Sequence, residues 1–234
     1  MSKIKIYADG ADVTKMLEAY KKGVAQGFTT NPTLMKVGGV VDYNAFAEEV
    51  VAAIPDLSVS FEVFADDFET MKLEALKIAS YGPNVFVKIP ITNTLGESSL
   101  PLVKELSDQG VNLNVTAILT IEQVQATVDA VSENSKTIVS VFAGRVADTG
   151  VDPMPLMKQS AEICHSKNNV ELLWASTREV LNIFQAEEAG CDIVTVPNAL
   201  LDKLPMLGKD LLELSLDTVK MFNNDIKALG FTIL

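Results

Sequence analysis

A lysine stands in the middle of the apolar run Val85-Phe86-Val87-Lys88-Ile89-Pro90-Ile91. Such two-sided apolar runs belong to parallel strands buried between helices. An ammonium there is expensive without a partner, and a buried lysine responds by lowering its pKa. A neutral amine is a nucleophile that forms a Schiff base with a carbonyl. The plain alternative is a lysine at a strand end that snorkels to water. The choice rests on what other side chains share its face.

Alternation along neighbouring strands supplies that test. Lys88 is in phase with Phe86 and Pro90, Glu62 with Ser60 and Phe64, and Asn114 with Asn112 and Thr116. Ser140 is in phase with Phe142, Asp9 with Tyr7, and Ser176 with Leu172 and Trp174, opposite Leu173 and Ala175. Each strand thus carries its polar residues on one parity, which is expected to be a shared interior. A solvated mouth explains one or two serines but poorly explains a lysine, two acids and two asparagines converging from different strands. Asp9 and Glu62 are candidate acid/base groups, since imine formation moves protons on and off oxygen through a carboxylate and a water. Asn31, Asn114 and Ser140 are suited to sugar hydroxyls. Arg145 and the run Ser176-Thr177-Arg178, at adjacent strand ends, are suited to a phosphate. Together they suggest a class I aldol reaction on a phosphorylated sugar, with no metal or cofactor.

The elements that must position these residues alternate. Strands are predicted over residues 4–9, 27–30, 59–64, 85–91, 113–119, 137–142, 170–175 and 193–196. Helices are predicted over 13–22, 43–54, 66–81, 100–106, 121–131, a segment opened by Pro153 and Pro155, 177–189 and 211–229. Asp12 and Thr120 are read as helix N-caps. Eight strands alternating with helices is the pattern of a (β/α)8 TIM barrel. No linker or shift of composition divides the chain, so residues 1–234 are read as one domain with 207–234 as a C-terminal helical extension. The alternative, a doubly wound open sheet, has fewer strands, and no G-x-G-x-x-G loop follows the first one.

Length and composition agree with a barrel of 234 residues: 48% hydrophobic, 21% charged. The net charge of −12 argues against non-specific nucleic-acid binding. Cys164 and Cys191 are expected to be buried reduced thiols, and the single histidine, His165, a surface residue. The N-terminus lacks a signal-peptide layout and no apolar run reaches membrane-spanning length, so a soluble cytoplasmic protein with no membrane partner is expected.

Phe28-Thr29-Thr30-Asn31-Pro32-Thr33 resembles the T-T-N-P-[ST] signature of the transaldolases, and Val87-Lys88-Ile89-Pro90 resembles the segment carrying their Schiff-base lysine. Asn112-Leu113-Asn114-Val115-Thr116, Ser140-Val141-Phe142-Ala143-Gly144-Arg145 and Ala175-Ser176-Thr177-Arg178 resemble later family segments in the right order. At this length the chain is similar to the short subfamily, which also holds fructose-6-phosphate aldolases. The resemblance implies ping-pong transfer of a dihydroxyacetone unit from fructose 6-phosphate or sedoheptulose 7-phosphate to erythrose 4-phosphate or glyceraldehyde 3-phosphate, in the non-oxidative pentose phosphate pathway. It implies Lys88 as the imine former, Asp9 as the base of carbon–carbon cleavage, and Glu62 with a water near Thr116 as proton carrier. Asn31, Asn114 and Ser140 would hold the dihydroxyacetone hydroxyls, and Arg145, Ser176 and Arg178 the phosphate.

The aldolases resemble a pattern with glutamine at position 62 and tyrosine at 142, whereas Glu62 and Phe142 match the transaldolases. An aldolase and a non-enzymatic phosphosugar-binding barrel are the alternatives. Trp174 departs from the smaller residue usual there; it would either narrow the mouth or fill the core. The resemblance also implies a homo-oligomer, a pentamer or decamer. The stripe Leu211, Ser215, Val219, Phe222, Ile226 and Leu229 suits packing on the chain's own barrel or on a neighbour, and the apolar tail of residues 231–234 suits docking.

Overall fold

The computed structural model describes residues 4–233; residues 1–3 and 234, and with them part of the N-terminal stretch and of the apolar tail, lie outside. The strands are β1 (Lys5–Asp9), β2 (Gly27–Thr29), β3 (Ser58–Glu62), β4 (Val85–Pro90), β5 (Leu113–Ile118), β6 (Thr137–Val141), β7 (Val170–Trp174) and β8 (Ile193–Pro197). They pair in parallel in sequence order, and β8 closes onto β1, giving a (β/α)8 barrel. The helices are α1 (Val13–Lys21), α2 (Pro32–Val37), α3 (Tyr43–Ala53), α4 (Phe68–Ala79), α5 (Leu100–Asp108), α6 (Ile121–Ala130), α7 (Ala143–Asp148), α8 (Met154–Cys164), α9 (Leu181–Glu188), α10 (Asn198–Leu201) and α11 (Leu211–Leu229).

Local chemistry sets the helix starts. Asp12 caps α1 by accepting from the Lys15 amide, and Thr120 with Gln123 forms a reciprocal capping box at α6. The short helices α2, α7 and α10 follow strand ends and were not predicted; at four to six residues they are too short for a hydrophobic period to register. The predicted start of the helix at 177 also shifts, since α9 begins at Leu181.

Two apolar layers hold the barrel. The outward side chains Val59, Phe61, Val87, Ile89, Leu113, Val115, Val139, Val141, Leu172 and Val194 are all essentially inaccessible. Inside, Tyr7, Phe86, Ile138, Leu173, Ala175 and Ile193 form one cluster. The Tyr7 ring fits because Gly27 has no side chain: a Cβ there would lie 2.4 Å from the ring. Alternation on β7 is therefore the reverse of the expected one. Leu173 and Ala175 face inward, and Trp174, 1% exposed and outside the mouth, fills the outer core. The polar residue used to set the phase, Ser176, lies beyond the strand in the left-handed region at φ 63°, where strand alternation no longer applies.

Cys164 and Cys191 are buried free thiols, and burial pushes Cys164 up to about 12. His165 is exposed and bonded to Asp192. By contact the chain divides into two units, residues 1–201 and 202–234. In the second, Asp210 caps α11 and Gly230, at φ 67°, ends it. No residue of α11 is buried, and Phe231 and Ile233 of the tail are exposed. Among the described residues no helix is long and apolar enough to cross a membrane.

Candidate active site

Strand register brings the central groups together. Glu62 pairs with Lys88 across β3 and β4, and Lys88 pairs with Asn114 across β4 and β5. Because neighbouring residues in register point the same way, the carboxylate, the amine and the amide converge on the interior. Lys88 is 6% exposed, so it does not snorkel. Its Nζ lies 3.2 Å from Glu62 Oε2 and donates to the Thr30 carbonyl at 3.2 Å. A buried amine with a carboxylate within hydrogen-bond reach has a local proton acceptor, which is what a nucleophilic amine needs.

Asp9 ends β1 and lines the same pocket as Lys88. Burial raises its carboxyl above the ordinary aspartate value, against the opposing pull of the Lys88 charge and of the Thr29 hydroxyl, which donates to Asp9 Oδ1 at 2.8 Å. A carboxylate so placed accepts protons more readily than an exposed one. β2 serves both groups: Thr29 holds Asp9, the Thr30 carbonyl holds Lys88, and Asn31 lines the pocket. Asn31 Oδ1 caps α2 through the Leu34 amide at 2.9 Å, which leaves its NH2 as the group it can offer to a ligand.

Below the amine, Ser140 donates to Asn114 Oδ1 at 2.6 Å and Asn114 Nδ2 donates to Ser60 at 3.0 Å. Asn114 is wholly buried and does not line the pocket, whereas Ser140 does. The Thr116 hydroxyl lines the pocket, is buried and has no protein partner. Thr116 keeps the phase of Asn114 in a regular β4–β5 register, and the strand departs from regularity just beyond it, where the β5–β6 register shifts between Val115 and Ile118 and Ala117 is left-handed at φ 60°.

The mouth is built by the ends of β6 and β7. Phe142 and Arg145 line it together with Ser176, and the Arg145 guanidinium lies 5.4 Å from the Phe142 ring centroid. Gly144 makes the junction possible, because a Cβ there would fall 1.6 Å from the Ser176 carbonyl oxygen. Arg178 is placed differently. It grips Asp148 through Nε at 3.2 Å and through its terminal nitrogen at 2.5 Å, half exposed and outside the pocket lining. That pairing holds the Asp148 carboxyl below its ordinary value. The pocket encloses about 440 Å³ including its open mouth. With Lys88 and Arg145 against Asp9, its lining carries a formal positive charge inside a strongly acidic protein.

Thr29, Ser60 and Thr195 belong to the site and were not singled out from sequence. Thr195 was findable by the argument used for Lys88, as the one polar residue in Ile193-Val194-Thr195-Val196-Pro197. Thr29 shares its phase with Asn31.

Comparison with known proteins gives the family and the fold. The pattern of the family described as transaldolase/fructose-6-phosphate aldolase matches residues 6–233. A probable transaldolase of Dehalococcoides mccartyi is 34% identical over 199 residues, covering 85% of this chain and 88% of the relative. A probable transaldolase of Methanococcus maripaludis is 35% identical over 202 residues, covering 86% and 89%. A crystal structure of KGPDC from Streptococcus mutans has the same fold, with a TM-score of 0.57 at 12% identity, covering 85% of this chain and 90% of that one. The chain belongs to the transaldolase/fructose-6-phosphate aldolase family.

Proposed function

We propose that the chain is a transaldolase that moves a dihydroxyacetone unit from fructose 6-phosphate or sedoheptulose 7-phosphate to erythrose 4-phosphate or glyceraldehyde 3-phosphate, within the non-oxidative pentose phosphate pathway. The observation that carries the reading is the buried Lys88–Glu62 contact of 3.2 Å in a pocket shared by Lys88 and Asp9. Lys88 passes a proton to Glu62 and attacks the ketone carbon. Glu62, through a water held by the Thr116 hydroxyl, protonates the leaving oxygen, and the imine forms. Asp9 takes the hydroxyl proton whose loss breaks the carbon–carbon bond. The aldose phosphate leaves, and the enamine stays on Lys88 until an acceptor aldehyde restores the bond. Asn31 and Ser140, the latter steadied by Asn114, hold the dihydroxyacetone hydroxyls. Arg145 and Ser176 hold the phosphate at the mouth. Arg178 supports it from outside through Asp148, and swings in only if that pair opens.

Phe142 and Glu62 favour transfer over release. The apolar ring of Phe142 offers no hydroxyl to orient a water toward the enamine side of the pocket. Fructose 6-phosphate supplied alone should therefore give a borohydride-trappable adduct on Lys88, found by peptide mass mapping, with little free dihydroxyacetone. Adding erythrose 4-phosphate should start turnover. Steady dihydroxyacetone release without an acceptor would instead identify an aldolase, and an unmodified Lys88 would leave only a binding barrel.

The reading includes assembly with further copies of the chain, as a pentamer or decamer. It is supported by the stripe of α11, where Leu211, Val219, Phe222, Ile226 and Leu229 are each more than half exposed in the single chain. Light scattering should give a mass several times the 25.3 kDa of one chain, and a monomer mass would end this part of the reading.

A further inference from the structure

We propose that Thr195 is a positioning residue for the Asp9 base, acting through Thr29 along a chain of hydroxyl hydrogen bonds. The inference rests on the reading of Asp9 as the base and goes on to name what sets its protonation. Thr195 from β8 and Thr29 from β2 reach across β1 from either side, and their hydroxyls are hydrogen-bonded to one another. Both are buried, at 5% and 2% exposure, and both line the pocket. Thr29 has a single hydroxyl proton and gives it to Asp9 Oδ1 at 2.8 Å. The bond between the threonines must then run from Thr195 to Thr29. Every donor in the chain points at the ionised carboxylate.

The reverse arrangement satisfies Asp9 and Thr29 as well. When Asp9 holds a proton, its carboxyl donates to Thr29, and Thr29 donates to Thr195, because each hydroxyl has both a donor and acceptor lone pairs. Asp9 gains one proton, the two hydroxyl protons turn, and no heavy atom need move. A base that must take up a proton and return it within one catalytic cycle is thereby satisfied in both states. Replacing either threonine by an apolar residue removes support from the ionised state in particular, since bonds to a charged group are the stronger ones.

Thr195 is itself held firmly. It pairs with Tyr7 in the β1–β8 ladder, and its carbonyl accepts from the Thr177 hydroxyl at 2.9 Å. The charged groups sharing the pocket with Asp9 are Lys88 from β4 and Arg145 from α7, with Glu62 of β3 behind Lys88. β2, β8 and α10 bring hydroxyl, amide and apolar groups to this end of β1 but no charge. None of the charged groups contacts Thr195 or Thr29 by a hydrogen bond other than Asp9, so changing the threonines leaves the Lys88–Glu62 pair in place.

The test is the titration of the Asp9 carboxyl, followed by its 13C shift in the full-length protein, alongside the acid limb of kcat/KM. Thr195→Val, which keeps the shape and loses the hydroxyl, should move both upward by about half a unit, and Thr29→Val by about one unit or more. Thr195→Ser should return both to the wild-type position. An Asp9 titration that stays at the wild-type position in Thr195→Val would overturn the proposal, as would a shift that Thr195→Ser fails to reverse. Should the valine variant not fold, Thr195→Ala gives the same readout. The carboxyl titration needs no turnover, so it stands apart from the trapping of Lys88: a wild type that forms no adduct sinks the transaldolase reading, while an unmoved Asp9 sinks the hydroxyl chain.

Discussion

Lys88→Met is expected to abolish turnover, by on the order of 10⁴-fold or more, while the barrel persists. Methionine matches the length of the side chain and suits an interior already lined by Phe86 and Ile138, so packing is preserved. What it removes is the only amine in the pocket and the partner of Glu62 at 3.2 Å. Breaking one side of a buried ion pair costs about 3–5 kcal/mol when the remaining charge has no relief. Here relief is partial, since the Glu62 side chain is 15% exposed. The variant should therefore melt below wild type at neutral pH, where the unpaired carboxylate is left behind. Lys88→Met/Glu62→Gln, with neither charge, should regain most of the loss at neutral pH without regaining activity. Coupled assays with an acceptor present, and thermal melts at neutral pH, read both halves. Residual turnover within tenfold of wild type would rule out an imine at this position.

That experiment isolates the residue most visible in the sequence, and its visibility has a physical reason. A charge in a run of β-branched and aromatic residues is an anomaly that only a buried partner or a site can resolve. Parity then located Glu62, Asn114 and Ser140, because their strands pair in regular register at these positions and the side chains alternate there. It failed where the backbone leaves the strand. Ser176, at φ 63°, lies beyond the end of β7, and using it to set the phase turned Trp174 inward when it belongs to the outer core. Arg178 was drawn to the phosphate by its neighbours in sequence, but its guanidinium is satisfied by Asp148, contributed by a helix too short to show a period. The threonine pair beside Asp9 escaped notice for another reason: a hydroxyl in a strand is ordinary, and its meaning lies in a partner more than a hundred residues away. The eight-fold alternation was legible because most strands, and the longer helices between them, carry their own periodic signal, while the three-residue β2 was marked by the Asn31-Pro32 that ends it.

Asp9→Asn separates binding from bond cleavage. The amide keeps an oxygen to accept from Thr29, and Lys88 and Glu62 are untouched, so the imine should still form and still be trapped by borohydride on Lys88. Release of the aldose phosphate should fall by about 10²–10⁴-fold, the usual contribution of a general base. The pH dependence follows from the raised carboxyl of Asp9. The working form is the ionised one, so the wild-type rate should grow as pH rises through a pKa above the ordinary aspartate value of 3.8. Stability runs the other way. A carboxyl whose folded pKa exceeds its unfolded pKa favours folding below the unfolded value and loses that contribution as pH rises through the folded one. At neutral pH the ionised, desolvated Asp9 is thus a cost to the fold, and Asp9→Asn should melt higher than wild type there, with the gap closing toward the acid side. Gaining stability while losing cleavage is the signature of a group placed for chemistry rather than for folding. A variant that melts lower at neutral pH, or that fails to trap the imine, would assign Asp9 a structural role, and the base of the reaction would then have to be sought in Glu62.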